Sequence, residues 1–187
     1  MIKVRSDLPK WLVDNGLLVG AEIGVYKGEF TEMFCLAGVK MIYAIDAWKA
    51  YWSAETDFVT QERQDFLCGH SHRVLDKYSN CTIVRKESME ALADFQDESL
   101  DFVYIDGDHS FKYVACDIYE WAKKVKRGGV VSGHDYTSLP IYGSQVKPVV
   151  DAYVQAFNIK TFQELGSTSK SDLKQRGDRY HSWMFTK

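Results

Sequence analysis

The stretch Val19–Gly28, V-G-A-E-I-G-V-Y-K-G, constrains this chain more than any other. It opens as an apolar strand, with the acidic Glu22 near its end, and closes in a glycine-spaced turn. Phe30, Met33, Phe34 and Ala37 then recur at helical spacing. A strand, a tight turn and a helix make the first half of a βαβ unit. Glycine lets backbone approach a ligand there, because positive φ costs it little. The spacing Glu22-x-Gly24-x-x-x-Gly28 is not the G-x-G-x-x-G of dinucleotide-binding folds.

The same alternation continues. Met41–Asp46 is an apolar run ending in an acid, as buried parallel strands do. Asp46 stands where such folds place a carboxylate for the two hydroxyls of a ribose, and an acceptor-only group can serve both. Its alternative is a solvated strand-end acid. Ala47 and Trp48 follow, the latter an aromatic able to cover an adenine. Tyr51 to Asn80 is long for a connection and suggests one or two amphipathic helices, with Tyr51 and Trp52 in the core. Gly69-His70-Ser71-His72 reads as a loop with exposed histidines. Cys81–Val84 is a third strand, and Ser88 is placed to cap the next helix.

Two later strands end in ionisable clusters. Leu100–Ile105 runs into Asp106-Gly107-Asp108-His109, and Val130–Ser132 into Gly133-His134-Asp135-Tyr136. Open α/β sheets bind ligands at the carboxyl edge of their strands. A structural turn needs Asp-Gly but not the additional Asp-His. Between them Val114, Ile118, Trp121, Ala122 and Val125 mark a helix, whose basic end Lys123–Arg127 complements the helix dipole before Gly128-Gly129 stops it. Pro148 suits the first turn of another helix, with Val149, Tyr153, Ala156 and Phe157 as its apolar face. Two final strands, Ile159–Glu164 and Ser182–Phe185, have no helix between them. The expectation is an α/β, Rossmann-like, doubly wound sheet, mostly parallel, with one antiparallel strand near an edge.

A length of 187 residues suits one domain, 1–187, with 1–16 as a short lead-in and no room ahead for a substrate domain. The formal charge of −3 gives no reason to expect nucleic acid, and no apolar run spans a membrane. Cys35, Cys68, Cys81 and Cys116 show no metal spacing and read as the reduced thiols of a cytoplasmic protein.

Taken together, Glu22, Gly24, Gly28, Asp46, I-D-G-D-H at 105–109 and G-G-V-V-S-G-H-D-Y at 128–136 resemble class I S-adenosylmethionine-dependent methyltransferases. Within that class they are similar to the small bacterial O-methyltransferases that include antibiotic-sugar enzymes. Tyr26 stands where the family often has another glycine. The resemblance implies that Glu22, Gly24, Tyr26, Gly28, Asp46, Ala47, Trp48, Ser88 and Asp106 contact S-adenosylmethionine. It implies a small hydroxylated acceptor and catalysis by Asp106, His109, His134 and Asp135. Metal-dependent relatives hold a divalent ion, usually magnesium, with carboxylates at these strand ends, which makes Asp106, His134 and Asp135 candidate ligands. A histidine at position 134 departs from that pattern and favours a softer ion, or a metal-free route with His109 or His134 as base; its structural alternative is a histidine that merely bridges the two carboxylates. Two other classes fit less well: a non-catalytic adenosyl-binding protein on the same sheet, and a nucleotide-dependent oxidoreductase.

Overall fold

A computed structural model describes residues 2–53, 57–137, 144–167 and 176–187. Seven strands form one sheet in the order β5-β2-β1-β6-β7-β9-β8. Their ranges are β1 Val19–Ile23, β2 Met41–Asp46, β5 Cys81–Arg85, β6 Leu100–Ile105, β7 Val125–Gly133, β8 Gln163–Leu165 and β9 Ser182–Thr186. The first five pair in parallel, whereas β9 runs antiparallel to both β7 and β8. The expected architecture is the one observed.

Both faces are covered. Phe102 and Tyr104 of β6 point to one side, where α1 (Leu8–Asp14), α2 (Glu29–Ala37) and α3 (Gln61–Leu75) bury Leu8, Leu12, Phe34 and Leu75. Val103 and Ile105 point to the other, against α5 (Phe111–Lys124) and α6 (Val146–Ala156), which contribute Ile118, Trp121, Val149 and Val150. A strand with both alternating sets buried reads as a continuous apolar run, as L-D-F-V-Y-I does but for Asp101. The lead-in is part of this packing: Val4, Leu8 and Leu12 are fully buried.

Several local expectations are corrected. His70 and His72 lie in α3, not on a loop, which brings Asp76 one turn from His72 at 2.9 Å. Glycine and histidine are weak helix formers, so Gly69–His72 reads as a break within the expected helix, yet α3 runs through it. Tyr51 and Trp52 are exposed on a hairpin of β3 (Tyr51–Ser53) and β4 (Asp57–Val59), not buried. Gly128-Gly129 does not stop α5, which ends at Lys124. The pair lies inside β7, at a register shift against β6, with Gly128 at φ +81°. The basic run after α5 is matched by acids: Lys124 meets Asp97 at 2.8 Å and Lys126 meets Asp101 at 2.7 Å. The final strand pair is shorter than its apolar run, since β8 begins at Gln163. Cys35 and Cys68 are buried, while Cys81 and Cys116 are half-buried, and all four are free thiols. Among the described residues no helix is long and apolar enough to cross a membrane.

Candidate active site

The glycine turn is built against the end of β6. Gly24 has φ +88°, and a Cβ there would lie on the Asp106 carbonyl and 2.8 Å from Gly107 Cα. Tyr26, also left-handed at φ +55°, takes the conformation that favours glycine, and its ring is exposed. Gly28, at φ +84°, starts α2 against Leu75. Asp46 ties the turn down: its Oδ2 accepts from Val25 N and Tyr26 N, and its Oδ1 from Trp48 N. A carboxylate has about four lone-pair sites. Three of them are taken by backbone N–H groups of the turn and of Trp48.

Beside it opens a cleft of about 530 Å³ between Ala47-Trp48-Lys49 and Arg85-Lys86-Glu87, at the carboxyl ends of β2 and β5. Trp48 contributes to its floor but does not stand free over it. The residue is 1% exposed, with φ +38° and its Nε1 donating to the Tyr26 carbonyl at 3.0 Å. Ser88 is not a cap. Glu87 precedes the short helix α4 (Ser88–Ala91), while the Ser88 hydroxyl donates to Asp117 Oδ1 and accepts from Trp121 Nε1 at 2.8 Å. A carboxylate is a stronger acceptor than the hydroxyl's local alternatives. Burial pushes Asp117 up to about 6 despite the Ser88 hydrogen bond.

Glu22 does not reach the cleft surface. It is wholly buried, with Thr31 Oγ1 donating to its Oε2. Burial pushes its carboxyl up to about 8, against the pull of Thr31 and Arg5. A carboxyl raised above its ordinary 4.5 stabilises the fold while protonated, and that contribution is lost as pH rises from 4.5 through 8. Wild type should therefore lose stability relative to Glu22→Gln over this window, with a slope approaching about 1.4 kcal/mol per pH unit. Urea titrations at a series of pH values measure it, and parallel profiles for the two proteins would refute it.

Strands β6 and β7 pair with Ile105 opposite Gly133, so Asp106 and His134 emerge side by side. His134 N donates to the Ile105 carbonyl at 3.0 Å. Asp135 turns back at φ +52°, and its Oδ2 lies 3.1 Å from both His109 Nε2 and His134 Nδ1. Asp106 Oδ1 is 3.7 Å from His134 Nδ1 and 3.9 Å from His109 Nε2. All four residues expected at one cavity are thus together. His134 Nε2 faces the Gly177 carbonyl at 3.0 Å. A carbonyl only accepts, so Nε2 carries a proton and Nδ1 points at the two carboxylates. Asp106, His134 and Asp135 each offer one ligand atom, all within 4.8 Å of one another. Two oxygens and a nitrogen suit a borderline ion better than magnesium.

One member is missing from the sequence expectations. Arg5 enters from the N-terminal turn, its Nη2 3.0 Å from Asp106 Oδ2 and its guanidinium 3.9 Å from the Phe30 ring centroid. Among the described residues its Nε is buried without a hydrogen-bond partner. Pro9 followed by Trp11, Leu12 and Val13 signals a helical turn packing inward here, and Val4, Leu8 and Leu12 are the residues it buries, but nothing in that pattern points to Arg5. Burial pushes Asp106 up, but His134, Arg5 and His109 outweigh it and hold the carboxyl below its ordinary range. Burial pushes His109 down, yet its contact with Asp106 and the charge of Asp135 leave it raised. His134 is raised likewise, with Asp106 and Asp135 outweighing burial and Arg5. Two carboxylates and one guanidinium leave one negative charge for a histidine proton or a cation to balance.

Residues 21–136 match the sequence model of a family described as a methyltransferase domain. An uncharacterized protein of Sinorhizobium fredii, y4gI, is 28% identical over 119 residues, 61% of this chain and 12% of that protein. The chain thus spans about an eighth of that curated relative. Among solved structures, a provisionally assigned caffeoyl-CoA O-methyltransferase from Staphylococcus aureus superposes with TM-score 0.66 and 15% identity, covering 97% of this chain and 82% of that one. For the N-methyltransferase NodS from Bradyrhizobium japonicum the values are 0.64, 14%, 97% and 93%. For an O-methyltransferase from Bacillus cereus in complex with SAH they are 0.62, 13%, 98% and 80%. Identity this low speaks to the fold alone, and these neighbours methylate different atoms.

Proposed function

The chain belongs to the class I S-adenosylmethionine-dependent methyltransferase family, and on that premise we propose that it methylates a hydroxyl oxygen of a small molecule. The observation that carries this reading is the convergence of His109, His134, Asp106 and Asp135 at the ends of β6 and β7, next to the glycine turn. Bound S-adenosylmethionine supplies a methyl carbon made electrophilic by its sulfonium. The adenosyl end fits the cleft beside Asp46, whose remaining lone pair takes one ribose hydroxyl. Asp46→Ala should weaken S-adenosylhomocysteine binding by roughly 1.5–3 kcal/mol, the range for a hydrogen bond to a charged group. Calorimetry measures this, and undiminished affinity would refute the assignment.

The protein's work at the reacting end is to orient the acceptor and remove its proton. Asp135 holds a proton on His109 Nε2, which leaves Nδ1 with the lone pair that takes the acceptor's proton. As the acceptor O–H breaks, an O–C bond forms and the methyl–sulfur bond breaks, leaving a neutral thioether. A base must be neutral to act, so the rate should fall as pH drops through the raised His109 pKa. The acid limb therefore lies above the ordinary 6.5 and disappears in His109→Ala. A limb unchanged in that variant would exclude His109. The formal charge of −3 gives no electrostatic reason to favour nucleic acid as acceptor.

The locked Nδ1 of His134 favours a second route for the proton. Asp106, His134 and Asp135 would hold a divalent ion such as manganese, iron or zinc, which lowers the pKa of a bound hydroxyl. Dialysis against chelator decides between them. Lost turnover restored by one such ion supports the ion; full turnover in chelator leaves the proton to His109 alone.

A further inference from the structure

Two single turns outside the family match of 21–136 meet behind the reacting cluster: Arg5–Asp7 and Arg176–Arg179. Ser6 joins them. Its backbone N–H donates to Asp178 Oδ1 at 2.9 Å and its hydroxyl to Oδ2 at 2.7 Å, so both oxygens of a buried carboxylate are engaged by one residue. The neighbouring Gly177 lies so close to Arg5 that a Cβ there would sit 2.8 Å from Arg5 Nη1. The carbonyl of that same Gly177 accepts from His134 Nε2.

We propose that Ser6 and Asp178 are positioning residues that fix the tautomer of His134. They hold the Gly177 carbonyl where only the Nε2–H form of the imidazole is compatible with it. The opposite tautomer would set a ring lone pair against a carbonyl lone pair and withdraw Nδ1 from service. Nδ1 is the atom facing Asp135 Oδ2 at 3.1 Å and Asp106 Oδ1 at 3.7 Å, and so the one that shares a proton with them or meets a cation. A histidine between two carboxylates and a carbonyl has two acceptor-rich sides. Without the carbonyl anchored, either ring nitrogen could carry the proton. Fixing the second nitrogen through a backbone carbonyl is a general way to orient an imidazole. The value of the lock for catalysis rests on the methyl-transfer reading, but the lock itself does not.

Nitrogen-15 spectra of the histidine-labelled chain, dialysed against chelator so that no ion fixes Nδ1, test it. In wild type, His134 should keep its proton on Nε2 throughout. In Asp178→Ala the Nδ1–H share of the neutral ring should rise about fivefold, one ordinary hydrogen bond's worth, while the amides of β6 and β7 stay in place. Ser6→Ala removes one of Ser6's two bonds to Asp178 and should shift the ratio the same way by less, which keeps the test open if Asp178→Ala fails to fold. Lys10→Ala, on the exposed face of α1, is the control for general loosening of this segment. A folded Asp178→Ala or Ser6→Ala with the wild-type tautomer ratio would overturn the inference. Calorimetry of wild type with S-adenosylhomocysteine separates the two readings: a locked His134 without heat sinks only the methyl-transfer reading, and heat with an unlocked His134 sinks only this one.

Discussion

Gly24→Ala is expected to abolish binding of S-adenosylhomocysteine and to destabilise the fold by roughly 2–5 kcal/mol. Two penalties combine. The backbone at φ +88° costs an L-residue about 1–2 kcal/mol. The new methyl would also overlap the Asp106 carbonyl and crowd Gly107, and forcing an atom into packed backbone costs about 1–3 kcal/mol. Neither neighbour can retreat easily, because Asp106 N is bonded to the Ile23 carbonyl at 2.7 Å and Gly24 N to the Ile45 carbonyl at 2.9 Å. The turn must open instead, which separates the cofactor end of the site from the reacting end. Urea denaturation and calorimetry read the two effects. A variant with wild-type stability and affinity would show that the ends of β1 and β6 are not pressed together as described.

Arg5→Met should be nearly as damaging, for an electrostatic reason. Methionine fills a similar volume, so little cavity is created. What is lost is one cation beside the half-buried Asp106; breaking a fully buried ion pair from one side typically costs about 3–5 kcal/mol, and His109 and His134 remain here to offset part of that. Arg5→Lys should recover only part of this, since an ammonium cannot lie flat on Phe30 as the guanidinium does. Adding Asp106→Asn to Arg5→Met should restore stability, because it removes the stranded charge, and the double-mutant cycle would then show strong coupling. If the two substitutions add independently, the pair is not the reason Arg5 is buried.

The contrast between Asp106 and Arg5 shows what was legible in the sequence. Asp106 and the His134-Asp135 pair were visible because each ends an apolar run, and parallel neighbours in an open sheet end at the same edge. Local pattern plus one topological rule was enough to bring them together. Arg5 reaches the same edge from 101 positions away in sequence, inside a lead-in with no strand of its own. No periodicity connects it to Asp106. Trp48 and Ser88 are a different case. Their side chains have strong partners within the protein, the Tyr26 carbonyl for the indole and Asp117 for the hydroxyl. Asp46 lies between these cases: the backbone of the glycine turn claims most of a carboxylate expected to serve ribose. Sequence pattern places a residue at an edge; competition among neighbours decides which of its atoms remain available.

The order β7-β9-β8 carries a consequence for how the molecule comes into being on the ribosome. Strand β8 is made before β9, yet it can join the sheet only through β9. Until residues 182–186 leave the exit tunnel, β7 presents a bare edge, and unpaired edges invite association with other chains. The same delay applies to the chemistry. The Gly177 carbonyl against His134 and the Asp178 carboxylate against Ser6 belong to the late segment, and they join partners 43 and 172 positions earlier. A nascent chain can therefore complete its glycine turn early while its reacting end stays unfinished. The glycine turn and the contacts around His134 are completed at different moments of synthesis, with the second waiting on the last contacts of high sequence separation to close.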